Sequence, residues 1–226
     1  MRLKSRLILR GAVILLVFAA MLFLPAGTLK FWEAWVFLGI VILPVVVFSI
    51  YYIKHDPQLM ERRLQVTEKV KEQKVIMALV KVMFVAASLV PGLDHRFGWT
   101  HKLVGAVPTW LEIVGQALVL GGYLSSFWVM AVNRFASSTI QVEPGQTVVS
   151  GGPYALVRHP MYFSMVVMWL ATSIALGSYV SLAFFALLVP FIVWRLLNEE
   201  KVLRQDLPGY DAYCQKTRFR LVPYVW

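Results

Sequence analysis

The sequence predicts an all-α, polytopic membrane bundle of about six spanning helices, with a C-terminal helical hairpin and a polar pocket at its cytosolic face. Three observations carry this. The chain has 226 residues, of which 59% are hydrophobic and 15% charged, where a soluble domain carries about 25% charged residues. Its mean hydropathy is +0.68, and the apolar residues come in runs near the roughly 20 residues that a spanning helix needs. The basic residues gather beside those runs on alternate sides, as membrane orientation requires.

The first run, 7–24, follows a basic start of Arg2, Lys4, Arg6 and Arg10. It could pass for a signal peptide, but no A-x-A cleavage site follows and a second run begins almost at once, so a retained helix is expected. The second run, 31–53, carries an interior proline, Pro44, expected to kink it. The stretch 54–74 mixes Asp56, Glu61, Glu68 and Glu72 with bases and reads as a solvated or surface-lying helix. The third run, 75–93, contains Lys81, and the fourth, 108–132, contains Glu112; these two either pair or snorkel to opposite interfaces. The fifth run, 160–176, opens on Pro160, which suits a first helical turn. Only Gly177 and Ser178 separate it from the sixth, 179–197, so the two form a tight antiparallel hairpin, with Pro190 expected to kink its second arm. The tail 201–226 is too polar to span and must fold back over the end of the hairpin.

Charge sets the orientation. With the N-terminus inside, only Lys30, Arg96 and Lys102 of the 22 lysines and arginines fall in outer loops, and Lys81 lies within the third run. Both termini are then cytoplasmic. Trp32, Trp35, Trp99 and Trp110 fall near the outer boundary as an aromatic belt. The net charge of +10 is explained by this bias, so no nucleic-acid partner is inferred. The single cysteine, Cys214, excludes an intrachain disulfide and a multi-thiolate metal site. His55, His95 and His101 sit in loops without metal-ligand company; Asp94, His95 and His101 read as a solvated loop, and no metal is expected. Compactness and the lack of targeting signals point to a prokaryotic plasma membrane.

Two polar knots remain. Arg158 and His159 open the fifth run, and Arg195, Glu199 and Glu200 close the sixth. In the hairpin they lie on the same, cytosolic side. Tyr210 and Tyr213, three apart in the tail, share a helical face. Arginine can take a carboxylate, glutamate can accept from an ammonium or from ribose hydroxyls, and the tyrosines can pack on a flat ring or a cation. An amino acid joined to a nucleoside and bearing a sulfonium fits that inventory. The side chains of Arg158 and His159 and the free N–H groups of the helical turn that opens at Pro160 are expected to favour an anion. The alternative is structural: these groups snorkel and pair at the interface, with Arg195 and Glu199 as an i,i+4 pair.

The order and spacing of these residues carry a resemblance. Arg158-His159-Pro160-Met161-Tyr162, followed after a hairpin by Glu199-Glu200, resembles the integral-membrane methyltransferases of the isoprenylcysteine carboxyl methyltransferase and phospholipid methyltransferase group. The approach Thr147 to Tyr154, the run Asn133-Arg134-Phe135, and Tyr210-Asp211-Ala212-Tyr213 are similar too, while Ser164 stands where many relatives have glycine and is expected to narrow a helix contact. The resemblance covers 133 to 226. It implies a catalytic region there, preceded by the segment 1–132, in which the apolar runs give about four transmembrane helices. It also implies S-adenosylmethionine as methyl donor, held by Gly152, Pro153, Tyr154, Val157, Arg158, His159, Tyr162, Glu199, Glu200, Tyr210 and Tyr213, and a lipophilic acceptor entering from the membrane lipids. If the acceptor is a carboxylate, as in a prenylcysteine, Arg195, Arg218 or Arg158 orients it; if it is an amine or hydroxyl, Glu199 is the base. No G-x-G-x-x-G follows a strand, so a soluble Rossmann methyltransferase is excluded. The competing expectations are a sterol-reductase-like, NADPH-dependent membrane enzyme and a non-catalytic membrane protein.

Overall fold

In the computed structural model, residues 3–64, 71–135 and 139–226 are described. Arg2, Glu68 and Lys69 of the charge reading lie outside these residues. The order is α1 Leu3–Ala26, α2 Trp32–His55, α3 Pro57–Leu64, α4 Lys71–Phe97, α5 Trp99–Val104 and α6 Thr109–Val132. A 3₁₀ turn, Gly152–Ala155, precedes α7 Pro160–Ala175, α8 Tyr179–Ala186, α9 Val189–Asp206 and α10 Tyr210–Lys216. Among the described residues there is no strand. Trp32–His55, Gln73–Phe97, Thr109–Val132 and Tyr179–Asp206 are long and apolar enough to cross a membrane, while Gly11–Ala26 and Pro160–Ala175 are shorter apolar helices. Among the described residues the fold is therefore all-helical, with four helices long and apolar enough to span a membrane where six runs were read.

The shortfall lies in the first and fifth runs, whose apolar helices Gly11–Ala26 and Pro160–Ala175 are shorter. The sixth run, one of the four, is interrupted at Leu187 and Leu188, which keep right-handed helical angles, and Pro190 falls in the first turn of α9. A proline there loses no helical hydrogen bond, since first-turn N–H groups have no intrahelical partner. Pro44 stays inside α2. The stretch after α2 is helical at α3, as expected, and begins with Asp56 accepting the Leu59 N–H at 3.1 Å.

Close packing rests on small residues, as expected where lipid removes the hydrophobic drive between helices. A Cβ at Gly115 of α6 would lie 2.5 Å from the Ala175 nitrogen of α7, and one at Gly122 would strike the Met168 side chain. Ser164 is buried at this contact; its Oγ donates to the Pro160 carbonyl at 2.9 Å and meets Ser125 Oγ of α6. The residue expected to narrow the contact thus also bonds across it. The α7–α8 turn uses Gly177 at φ +66°, and the Ser178 Oγ then accepts the Ser181 N–H at 3.0 Å to cap α8.

The end expected to face outward is tied by buried polar groups. Gln116 Nε2 donates to the Glu33 carbonyl at 3.0 Å and the Ala175 carbonyl at 2.9 Å, joining α2, α6 and α7. Asp94 accepts from the Thr100 N–H at 2.8 Å, the Thr100 hydroxyl and the Ser178 hydroxyl. The solvated loop expected at Asp94 is instead the last turn of α4, where Asp94 is buried as a tie to α8 while His95, stacked on Phe31, and His101 are exposed. Lys81 is exposed on α4, whereas Glu112 is buried in the first turn of α6, so the two are not a pair.

Candidate functional site

The opposite end holds the polar knots. The tail fastens there through backbone: the N–H groups of Arg158 and His159 donate to the Phe219 and Arg220 carbonyls, each at 2.9 Å. The N–H groups of Arg158 and His159 themselves, just ahead of the first turn of α7, are therefore taken by the chain itself. Tyr213 Oη and Thr217 Oγ1 donate to the Tyr154 carbonyl at 2.8 and 3.3 Å, and Asn133 Nδ2 donates to the Tyr154 hydroxyl at 2.8 Å. These bonds set Tyr154, Tyr210 and Tyr213 around one cavity.

That cavity has a volume of about 370 Å³, within the roughly 300–1,000 Å³ typical of ligand sites. One part is polar: Tyr154, Arg158, His159, Glu199, Tyr210 and Tyr213 line it. The other part reaches among the apolar helices, past Met77, Val80, Met165, Met168, Trp169 and Ile192. Arg195 and Tyr162 also line it, and they belong to a hydrogen-bonded chain. Arg195 Nη1 donates to Gln73 Oε1 at 3.1 Å, Arg195 Nε to Tyr162 Oη at 3.1 Å, and Tyr162 Oη to Glu199 Oε2 at 2.6 Å. Arg195 and Glu199, expected as an i,i+4 pair, are bridged by this phenol.

The two glutamates diverge. Glu199 faces the cavity, but Glu200 does not line it. The Glu200 carboxylate is 5% exposed and sits 3.0 Å from Arg158 Nε, 3.3 Å from His159 Nε2 and 3.0 Å from Arg220 Nε. It is the shared anion between Arg158 and Arg220, with His159 beside it, and it ties the start of α7, α9 and the tail together. Buried carboxylate–arginine contacts of this kind cost most when one partner is lost.

Of the other residues read from sequence, Gly152, Pro153, Val157 and Arg218 do not line the cavity. Pro153 is buried within the 3₁₀ turn that carries Tyr154, Val157 is buried just after it, and Gly152 takes φ +57°, where a Cβ would lie 3.1 Å from Val132. Arg218 is exposed. Gln73 was missed, although it is 1% exposed and holds Arg195; an uncharged polar residue at the mouth of an apolar run was its only sign. Burial raises the phenol pKa of Tyr210 and of Tyr213, and the Glu200 carboxylate adds to the rise at Tyr210. Both phenols stay protonated as donors. The buried Tyr210 hydroxyl has no hydrogen-bond partner among the described residues, which leaves a donor for a ligand in the cavity.

Comparison with known proteins adds two findings. Residues 110–207 match the family model described as phospholipid methyltransferase. The match takes in α6, α7, α8 and α9 with both polar knots. Over 91 residues the chain is 30% identical to Delta(14)-sterol reductase TM7SF2 of Mus musculus, an alignment that covers 39% of this chain and 22% of that protein.

Proposed function

Because residues 110–207 belong to the phospholipid methyltransferase family, we propose that the protein is an S-adenosylmethionine-dependent membrane methyltransferase acting on a lipid-like or small hydrophobic acceptor. One observation carries the reading: a single cavity joins a polar, tyrosine-lined end to an apolar end between helices, with Arg195 and Tyr162 on its wall. A donor with an amino acid, a nucleoside and a sulfonium suits the first end, and a hydrocarbon-bearing acceptor suits the second.

The residues fit the donor chemically. Tyr154, Tyr210 and Tyr213 offer faces to a ring or a cation, the unpartnered Tyr210 hydroxyl offers a hydrogen bond, and Glu199 offers carboxylate oxygens. His159 and Arg158 stand on the same wall. Gly152, Pro153, Val157 and Glu200 act in this reading as supports of that wall. When bound, the donor supplies an electrophilic methyl on sulfur. The protein's share is to hold the acceptor in line and exclude water. Arg195 is held by Gln73 and Tyr162, so its guanidinium is preorganised to orient an acceptor carboxylate or phosphate. For an amine or hydroxyl acceptor, Glu199 takes the proton. Met165, Met168, Trp169 and Ile192 keep the inner part dry. Arg218, at the surface, is left a role only in attracting anions.

Residues 133–226 form the catalytic region in this reading, on a support from residues 1–132, with six helices crossing a prokaryotic plasma membrane and both termini cytosolic. The basic residues motivate that orientation. Reporter fusions at Trp226 and near Phe97 are expected to report opposite sides; the same side for both would sink it. The test of function is binding to purified protein: labelled S-adenosylmethionine is expected to bind saturably and NADPH not to. NADPH binding without the methyl donor would favour instead the reductase reading to which the sterol reductase similarity points, and binding of neither would leave a non-catalytic membrane protein.

A further inference from the structure

A second cavity, of about 70 Å³, lies within the bundle behind the first. Met168 and Trp169 line both cavities, so side chains of one helix stand between them. Trp169 leans on Phe84 with ring centroids 5.5 Å apart, and Met168 sits where Gly122 leaves no Cβ to block it. A methionine is the most adaptable apolar side chain for such a neck.

The lining tells what could enter. Ser88 Oγ donates to the Phe84 carbonyl and Thr172 Oγ1 to the Met168 carbonyl, each at 2.7 Å, so both hydroxyls are turned back on their own helices. What remains is mostly apolar, apart from the Tyr123 phenol. Leu22, Val119 and Phe185 on its wall are 2%, 1% and 1% exposed, so the inner wall of the cavity lies within the bundle, while Phe18, Phe84 and Tyr123 at its margin are half-buried. A water-sized atom needs about 10–15 Å³, and apolar cavities of this kind stay dry and take apolar guests. There is room for about five chain carbons on that measure.

We propose that this second cavity receives the far end of the acceptor's hydrocarbon chain, with Met168 and Trp169 as the neck that sets which chain lengths gain from it. The inference rests on the methyltransferase reading in one respect, that the acceptor's reactive group lies in the first cavity. Each methylene that passes the neck should tighten binding about fourfold, the value of a buried CH₂, until the cavity is full.

The experiment uses the whole protein in lipid nanodiscs. It is exposed to single-chain lysophosphatidylethanolamines of increasing acyl length, each with a diazirine at the chain end, and the cross-linked residues are mapped by mass spectrometry. Chains above a threshold length are expected to label Leu22 and Phe185, which are 2% and 1% exposed. Ser88→Phe, which fills the cavity, is expected to abolish that labelling while S-adenosylmethionine affinity, measured by calorimetry, stays unchanged. Trp169→Leu, which widens the neck without filling anything, is expected to lower the threshold length and covers the case in which Ser88→Phe does not fold. Labelling confined at every length to lipid-facing residues such as Val82 and Leu118, in a protein that binds S-adenosylmethionine, overturns the chain site and leaves the methyltransferase reading standing. Labelling of Leu22 and Phe185 in a protein that does not bind S-adenosylmethionine supports the chain site and overturns that reading.

Discussion

Arg195→Lys is expected to lower methyl transfer about 100-fold, the scale of a roughly 1 Å misplacement at a reacting centre, while donor affinity stays near that of the unaltered protein. Arg195 reaches Tyr162 from Nε and Gln73 from Nη1, each at 3.1 Å. Lysine keeps the charge but has one nitrogen and no planar fork, so it cannot hold both contacts and an acceptor in one geometry. Tyr162→Phe removes the hydroxyl that links Arg195 to Glu199 and is expected to lower transfer by a smaller factor, near the tenfold that corresponds to about 1.4 kcal/mol. The measurement is transfer of labelled methyl groups to extracted membrane lipids at saturating donor. Full transfer by Arg195→Lys would show that the guanidinium neither orients the acceptor nor needs its fork.

Glu200→Gln is expected to destabilise the folded protein by about 3–5 kcal/mol, the usual cost of removing one partner from a buried ion pair. The loss leaves Arg158, 7% exposed, without its counter-ion. It also releases His159 and Arg220, and with them a tie between the tail and α9. Donor affinity is expected to fall as a consequence, because Arg158 and His159 also line the cavity. Arg220→Ala, at the more exposed edge of the cluster, is expected to cost about 1 kcal/mol or less. Thermal unfolding in nanodiscs, followed beside a donor titration, separates the possibilities. An unfolding temperature that does not change, with donor affinity lost, would mean that Glu200 contacts the donor directly, as the sequence motif alone implies.

Much of the architecture was legible because the bilayer restricts it. Backbone in hydrocarbon must bond to itself, so long apolar runs become helices, and 31–53 and 108–132 appear as α2 and α6 within a residue or two of their bounds. Pro160, at the first position of α7, and Gly177, in the turn before α8, are local backbone signals and held for local reasons. The juxtaposition of Arg158 and His159 with Arg195 and Glu199 follows from a two-residue link between apolar runs, which leaves a hairpin little freedom.

What sequence could not decide depends on which way side chains face once helices pack. Glu199 and Glu200 are neighbours, and adjacent helical residues point about 100° apart. One therefore enters the cavity and the other the cationic cluster, but which is which depends on how α9 is rotated against α7. Gln73 lies 122 residues from Arg195 along the chain, and no local pattern links them; only the packing of α4 beside α9 does. The capture of the Arg158 and His159 N–H groups by the tail is likewise a long-range event. Composition and periodicity therefore determined that this chain is a helical membrane protein with a polar site at one end. Helix rotation, and tail docking through the Arg158 and His159 N–H groups, decided which of its polar residues face the cavity and which hold it together.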